Sequence, residues 1–405
     1  MRILMVCQHY WPERFQVTEV CEELARRGHE VTALVGIPNY PTGVVPMEYR
    51  DGGNRDQWVN GVHVVRCEEV PRSPGILGLA RNYLSYMKGA NRRLDGLSGP
   101  FDVVFAYQLS PVLMAAPAAK AKRRFDVPEL LYCADIWPDA AMAMLPRGLG
   151  FVLPIMRRAS TSIYASADAI ATNSRAYIDC FESVHQLDRE RCSYLPQYAD
   201  DAYLDMDLSA APSGKTRFAV MGNIGRLQDM PGMLRAVDRL KERDDFELHV
   251  VGTGSVIGQC EEFVRLKGLE GHVVFHGRRP YEEMPDFYRM ADCCLLTLNV
   301  PGAPWISSTL PSRLQGYMAA GKPILAAISG SAAEVIGESG CGRAVTAGDD
   351  EGLASLMEDF IDHPDHYADC GEAGRSYFRS HFTKERYMDG IEELLIKTAG
   401  GGCDA

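Results

Sequence analysis

Tyr132-Cys133-Ala134-Asp135-Ile136-Trp137-Pro138-Asp139 places a carboxylate, Asp135, directly beyond an apolar run that reads as a buried strand. A carboxylate at such a strand end can accept a hydrogen bond from a sugar or acceptor hydroxyl, and Trp137 can stack on an apolar sugar face. An Asp that caps the next helix would leave the same trace. His9-Tyr10-Trp11-Pro12-Glu13-Arg14-Phe15-Gln16 forms the first strand-to-helix loop. Arg14, Phe15 and Gln16 there, with Trp137 and Asp139, are candidates for the acceptor side of a cleft, whereas a lone His9 reads as structural.

The second half holds a different chemistry. Gly222-Asn223-Ile224-Gly225 lies between a strand and a helix, with Arg226 beside it and Gln228 close by. Glycines at such a turn let backbone amides approach an anion, although an ordinary tight turn looks the same. Gly252-Thr253-Gly254-Ser255, with Gly258 beyond, imitates a dinucleotide fingerprint, but its spacing is GxGxxxG and no acidic residue closes the next strand. It reads as a glycine-rich turn. The densest constellation runs from Ser307 through Ser308, Thr309, Leu310, Pro311, Ser312, Arg313 and Gln315 to Gly321-Lys322-Pro323. Pro311 sits as a first-turn proline and Gly321 as a helix stop. Amides at Leu310 and Ser312, with the charge of Arg313, suit a pyrophosphate; a merely well-capped helix is the plainer reading.

The elements that must hold these residues follow from periodicity. Strands are expected at 2–7, 30–35, 102–106, 129–133 and 169–172, with helices at 18–27, 111–123 and 160–167 between them. Asp, Ser, Ala, Pro and Gly over 205–216 suggest an interdomain connector, after which the alternation restarts and continues to the strand at 323–328. The expected fold is α/β, with two Rossmann-like doubly wound domains facing across a cleft, at 1–205 and 206–383. A final helix within 384–405 would cross back to the first domain.

Composition sets the outer limits. At 405 residues, 46% hydrophobic and 24% charged, the chain reads as a soluble folded protein of about two domains. Its net charge is −12, with acids and bases balanced up to residue 200 and the deficit beyond, which argues against nucleic acid as a partner. The 12 cysteines show no CxxC pair and no Cys/His cluster at zinc spacing, so they read as small buried residues of a reducing cytosol. The opening apolar run is too short for a signal peptide, and no stretch approaches the roughly 20 apolar residues of a membrane-spanning helix. Residues 71–94 combine Arg72, Arg81, Lys88, Arg92 and Arg93 with Ile76, Leu77, Leu79, Leu84 and Met87 and contain no acid; Lys120, Lys122, Arg123 and Arg124 follow. That pattern fits a helix resting on an anionic membrane surface, and a solvated helical face fits it too.

Taken together, the residues resemble the retaining GT-B glycosyltransferases of family 4, of the bacterial colanic acid and O-antigen type. The resemblance spans nearly the whole chain. It rests on Tyr10 to Glu13, Arg27 to Thr32 running to Pro38-Asn39-Tyr40-Pro41, Asp135 to Pro138, Gly222 to Gly225, Tyr288 to Asp292 and Thr309 to Pro323. It implies a nucleotide-sugar donor, UDP-linked by preference, on the second domain and a polyprenyl-diphosphate-linked acceptor on the first. No metal and no other cofactor are implied, since helix-terminal amides and basic side chains neutralise the departing diphosphate. The base would lie against Gly277-Arg278-Arg279, and Asp135 would position the attacking hydroxyl. Donor contacts then fall to Gly222, Asn223, Gly225, Arg226, Gln228, Arg278, Ser308, Thr309, Leu310, Ser312, Arg313 and Gln315. The expected location is cytoplasmic, at the inner face of the cell membrane.

Five positions depart from the family pattern. Ser308 and Gly316 stand where many members carry glutamates, which shifts ribose and sugar contacts toward Gln315 or Glu334. Asn223 and Gln228 stand where Arg and Lys are usual, leaving Arg226 and Arg313 as the cations. Ala134 stands where a histidine is frequent. A nucleotide-sugar epimerase or hydrolase, an inactive nucleotide-sugar binding protein and a nicotinamide-dependent oxidoreductase are the competing readings, the last disfavoured by the missing GxGxxG.

Overall fold

A computed structural model of the chain describes residues 1–138, 150–299 and 309–400. It contains two compact units, Met1–Leu195 joined by the chain from Met388 onward, and Pro196–Tyr387. The division lies upstream of the 205–206 join expected from composition. Tyr203 and Leu208 are buried in the apolar core of the second unit, so this polar-looking stretch belongs to that unit and does not link the two.

The first unit is built on β1 (Arg2–Val6), α1 (Gln16–Arg26), β2 (Glu30–Val35), β3 (Asp56–Val59), β4 (Val62–Arg66), α2 (Ile76–Asp95), β5 (Val103–Gln108), α3 (Ala116–Phe125), β6 (Glu129–Cys133), α4 (Leu153–Ser166), β7 (Ala169–Thr172), α5 (Arg175–Ser183) and β8 (Cys192–Tyr194). Its strand order is β3-β4-β2-β1-β5-β6-β7-β8. All neighbours pair in parallel except β3 and β4, whose antiparallel hairpin turns at Asn60-Gly61. Both turn residues take positive φ, 47° and 83°, as a tight primed turn requires. Ile3, Leu4, Met5, Val6, Phe105 and Leu131 are completely buried, which is why these strands read as unbroken apolar runs; each such side chain contributes roughly 1.5–3 kcal/mol.

The second unit contains β9 (Thr216–Met221), α6 (Met230–Arg239), β10 (Phe246–Val251), α7 (Ile257–Lys267), β11 (Val273–Gly277), α8 (Met284–Met290), β12 (Cys293–Thr297), α9 (Ser312–Ala319), β13 (Ile324–Ala327), α10 (Ser331–Ser339), β14 (Gly342–Val345), α11 (Asp350–Asp362) and α12 (Cys370–His381). The order β11-β10-β9-β12-β13-β14 is that of a Rossmann fold, with its reversal between β9 and β12. The first sheet repeats the scheme, reversing between β1 and β5. Each unit is therefore a doubly wound Rossmann-like domain.

The last helix, α13 (Lys384–Gly400), carries chain from one unit to the other. From Met388 onward it is held in the first unit by Arg27, whose guanidinium donates to Asp389 and Glu392 at 2.7 Å each, and by His29, 2.8 Å from Glu392. Gly390 packs so tightly on Leu195 that a Cβ would lie 2.6 Å from its methyl carbon. No described helix is long and apolar enough to cross a membrane.

Glu129, at the start of β6, shows what burial costs in this sheet. Desolvation pushes its carboxyl up to about 8, against the opposing pull of Lys122. The folded protein thus keeps a proton that the unfolded chain releases near pH 4.5. The folded state binds more protons through this interval, so stability falls as pH rises from about 5 to 8, by up to about 1.4 kcal/mol per pH unit from this group. Glu129→Gln should be close to neutral at pH 5 and stabilising at pH 8, as read from urea unfolding of both proteins across that range.

Candidate functional site

In the second unit, the turn after β9 is locked to the turn after β10. Gly222 adopts φ +113° and Gly252 φ +148°, and a Cβ on Gly252 would fall 1.9 Å from the Gly222 carbonyl oxygen. A Cβ on Gly254 would meet the Ile224 carbonyl oxygen at 2.3 Å. Only glycine permits this contact. The amides of Gly222 and Ile224 donate to Val251 and Thr253, and that of Gly225 donates to the Gln228 side chain at 3.0 Å. Gln228 is thereby committed to the turn itself, and its carbonyl accepts the Thr297 hydroxyl.

Onto this turn comes Arg313, in the first turn of α9. Its Nη2 donates to the Asn223 carbonyl at 2.6 Å, and its guanidinium lies against Gly222, 3.5 Å from where a Cβ would be. One helical turn further on, the buried Tyr317 hydroxyl accepts from the Met221 amide at 2.9 Å, anchoring α9 to the end of β9. Gly222, Asn223, Gly225, Arg226 and Arg313, all expected phosphate contacts, therefore come together, with Arg226 exposed on the short 3-10 turn Arg226–Gln228. Thr309 and Leu310 are half-buried just ahead of α9, and Ser312 is exposed at its first residue. Arg278 is exposed just after Gly277, whose carbonyl accepts the Gly252 amide. Gln315 is different: it is buried and donates to the Gln197 carbonyl at 2.6 Å, a role inside the fold. At Gly316 the place of a side chain is taken by Tyr288, whose hydroxyl lies 3.2 Å from where a Cβ would be, and Glu334 is exposed in the first turn of α10. Ser308 lies outside the described residues.

In the first unit, Asp135 follows β6. Desolvation holds its carboxyl above the usual carboxylate range, and a hydrogen bond from Ser110 opposes that shift. Ser110 also accepts the Trp137 indole N–H at 2.8 Å, so indole, hydroxyl and carboxylate form one relay. Gln108, the last residue of β5, donates to the Asp135 carbonyl at 2.8 Å, and Asn173 donates to that of Ala134 at 3.1 Å. The Trp137 amide donates to the Tyr164 hydroxyl at 3.0 Å. Asp139 lies outside the described residues.

The loop after β1 carries a second network. His9 is buried, 2.9 Å from Glu13 and stacked on Phe15 at 4.7 Å. Glu13 accepts the amides of Asn39 and Tyr40 at 2.6 Å each. Phe15 and His9 are thus packing partners, while Arg14 is exposed and Gln16 opens α1. Beneath them the buried Glu69 accepts from Gln8 at 2.8 Å and from Asn39, and burial holds its carboxyl well above the usual range. Sequence reasoning missed Ser110, Gln108 and Glu69. The first two sit at the end of β5, the strand that pairs with β6, and were legible once that pairing was expected.

Two family descriptions match this chain: a glycosyl transferase 4-like domain over residues 14–197 and glycosyl transferases group 1 over 205–377. The chain is 24% identical to the putative colanic acid biosynthesis glycosyl transferase WcaI of Escherichia coli, over 79% of this chain and 82% of that one. It is 27% identical to a GDP-mannose-dependent phosphatidylinositol monomannoside mannosyltransferase of Mycolicibacterium smegmatis, over 60% and 66% of the two chains. Among solved structures, Anabaena HepE in complex with UDP superimposes with a TM-score of 0.68 at 16% identity, covering 98% of this chain and 100% of that one. With a matching domain in each half and two Rossmann-like sheets, the chain belongs to the GT-B glycosyltransferases of the family 4 type.

Proposed function

We propose that the protein transfers a sugar from a nucleotide-sugar donor, with UDP the favoured nucleotide, to a polyprenyl-diphosphate-linked saccharide in cell-surface polysaccharide synthesis, with retention at the anomeric carbon. The observation that carries this reading is Arg313 seated on the Gly222-Asn223 turn, which fixes a guanidinium beside the end of β9, where Rossmann-like sheets receive phosphate. Arg226 supplies a second positive charge, so the leaving diphosphate is neutralised by side chains and no metal ion is assigned a step. Three amides of the turn are already used internally. Side-chain charge therefore carries more of the anion contact than the glycine spacing suggests.

Asp135 is assigned to the acceptor. A carboxylate with raised proton affinity, oriented by Ser110, can hold the attacking hydroxyl and take its proton as the glycosidic bond forms on the face the diphosphate leaves. Similarity to the E. coli protein supports a polysaccharide setting, and similarity to the mycobacterial enzyme supports a lipid-linked acceptor. For the acceptor's membrane, α2 presents exposed Ile76, Leu77 and Leu84 with Arg81, Lys88 and Arg92. That apolar and cationic mixture suits peripheral contact with an anionic bilayer.

A panel of UDP-, GDP- and dTDP-sugars with a lipid-linked acceptor should release one nucleoside diphosphate, and that nucleotide alone should raise the melting temperature. Turnover without acceptor would favour the hydrolase reading, and neither binding nor turnover with any donor would remove the proposal. Arg313→Ala should weaken binding of the matching nucleoside diphosphate by about 10- to 100-fold, measured by calorimetry.

Asp135→Asn should lower kcat/KM by about 100-fold or more and leave donor affinity unchanged. Since the base form of Asp135 is required, activity should fall on the acid side, with a midpoint above the usual carboxylate range. Ser110→Ala removes a bond that favours the charged form, so that midpoint should move to higher pH in the rate profile.

A further inference from the structure

Asp359 lies in the last turn of α11, His363 caps that helix, and the short 3-10 turn Pro364–Tyr367 returns His366 to the same spot. The Nδ1 atoms of His363 and His366 stand 3.4 and 3.7 Å from Oδ1 of Asp359, and all three ligand atoms lie within 4.8 Å of one another. Both contacts exceed hydrogen-bond length, so the carboxylate satisfies neither ring. They come close to the edge of a tetrahedron around an ion with bonds of about 2.0–2.1 Å, an edge of about 3.3 Å. The two imidazoles are nearly parallel, 10° apart with centroids at 5.0 Å, and present the same nitrogen to the same side.

The carboxylate is fixed from behind. Its Oδ2 accepts from Arg343 Nη1 at 2.6 Å and from the Tyr367 hydroxyl at 2.7 Å. Tyr367 is 1% exposed and packs its ring under the Arg343 guanidinium at 4.6 Å. A bound ion would thus meet an oriented oxygen, the arrangement in which outer partners preset a ligand. Arg343 offsets the carboxylate charge and both imidazoles are more than half exposed, which sets the site at moderate affinity and leaves room for a water as fourth ligand.

We propose that Asp359, His363 and His366 form a binding site for a divalent transition-metal ion of the Zn2+ class, clipping the end of α11 to the turn that follows it. Two imidazoles and one carboxylate select zinc or its neighbours over Mg2+ and Ca2+, which prefer oxygen donors. The site is separate from the residues assigned to sugar transfer and stands or falls independently of them.

The test is titration of the chelator-treated, thiol-reduced full chain with Zn2+ against a chromophoric competitor, alongside thermal unfolding with and without the metal. The parent should bind one equivalent with micromolar affinity and melt higher when loaded. His363→Asn and His366→Asn, both at exposed positions, should keep the metal-free melting temperature, weaken binding at least tenfold and lose the metal-induced rise. Mg2+ should reproduce none of this. Absence of binding in the parent overturns the proposal, and so does binding that survives intact in the double variant, because the ion would then sit elsewhere, for instance on the half-buried Cys192 or Cys370.

Discussion

The second unit depends on the contact between two strand ends. The turns after β9 and β10 touch backbone to backbone because Gly252 and Gly254 lack side chains, and any Cβ there would overlap a carbonyl oxygen of the neighbouring turn. With the two turns pressed together, the Asn223 carbonyl is directed to where Arg313 can grip it. Tyr317 then ties the helix bearing Arg313 to Met221, the last residue of β9, so cation, turn and sheet are joined by hydrogen bonds. The placement of the Arg313 charge is settled by the packing of the fold.

The two sheets reverse strand order in the same way but load their carboxyl ends differently. The second offers glycines and guanidinium groups, suited to a multiply charged anion. The first offers amides, hydroxyls and acids sheltered from water: Gln108, Ser110 and Asp135 at the ends of β5 and β6, and Gln8, Glu69 and Asn39 around the end of β1. Neutral polar groups around a partly desolvated acid suit the recognition of hydroxyls, whose hydrogen bonds must be matched one by one. The same frame thus supports two kinds of recognition through the residues that follow each strand.

Much of this was legible in the residue order. Strands 30–35, 129–133 and 169–172 fall where the apolar runs place them, because strands buried on both faces leave an unbroken signal. The hairpin of β3 and β4 escaped notice although Asn60-Gly61 marks its turn, since Asp56, Gln57 and His63 interrupt the apolar pattern of its strands. α4 begins at Leu153, well ahead of the expected 160, because Pro154 sits in its first turn, where a missing amide costs nothing. The glycine turn after β9 and Arg313, which residue types suggested should lie together, are in contact. Spacing could not foresee that Gln315 and Gln228 are spent inside the fold, nor that Ser110 joins Trp137 to Asp135, since each depends on a partner distant in sequence.

The helix α13 bears on how this protein can be taken apart. Its residues from Met388 onward complete the first unit through Arg27 and His29, so that unit is assembled from discontinuous sequence. A fragment cut at Leu195 would expose the apolar seat of Ile391 and Leu395 and take Asp389 and Glu392 from Arg27, which would keep Glu23. Expressing the first unit alone therefore calls for a circular permutant or a grafted terminal helix, whereas the second unit, Pro196–Tyr387, is contiguous in sequence.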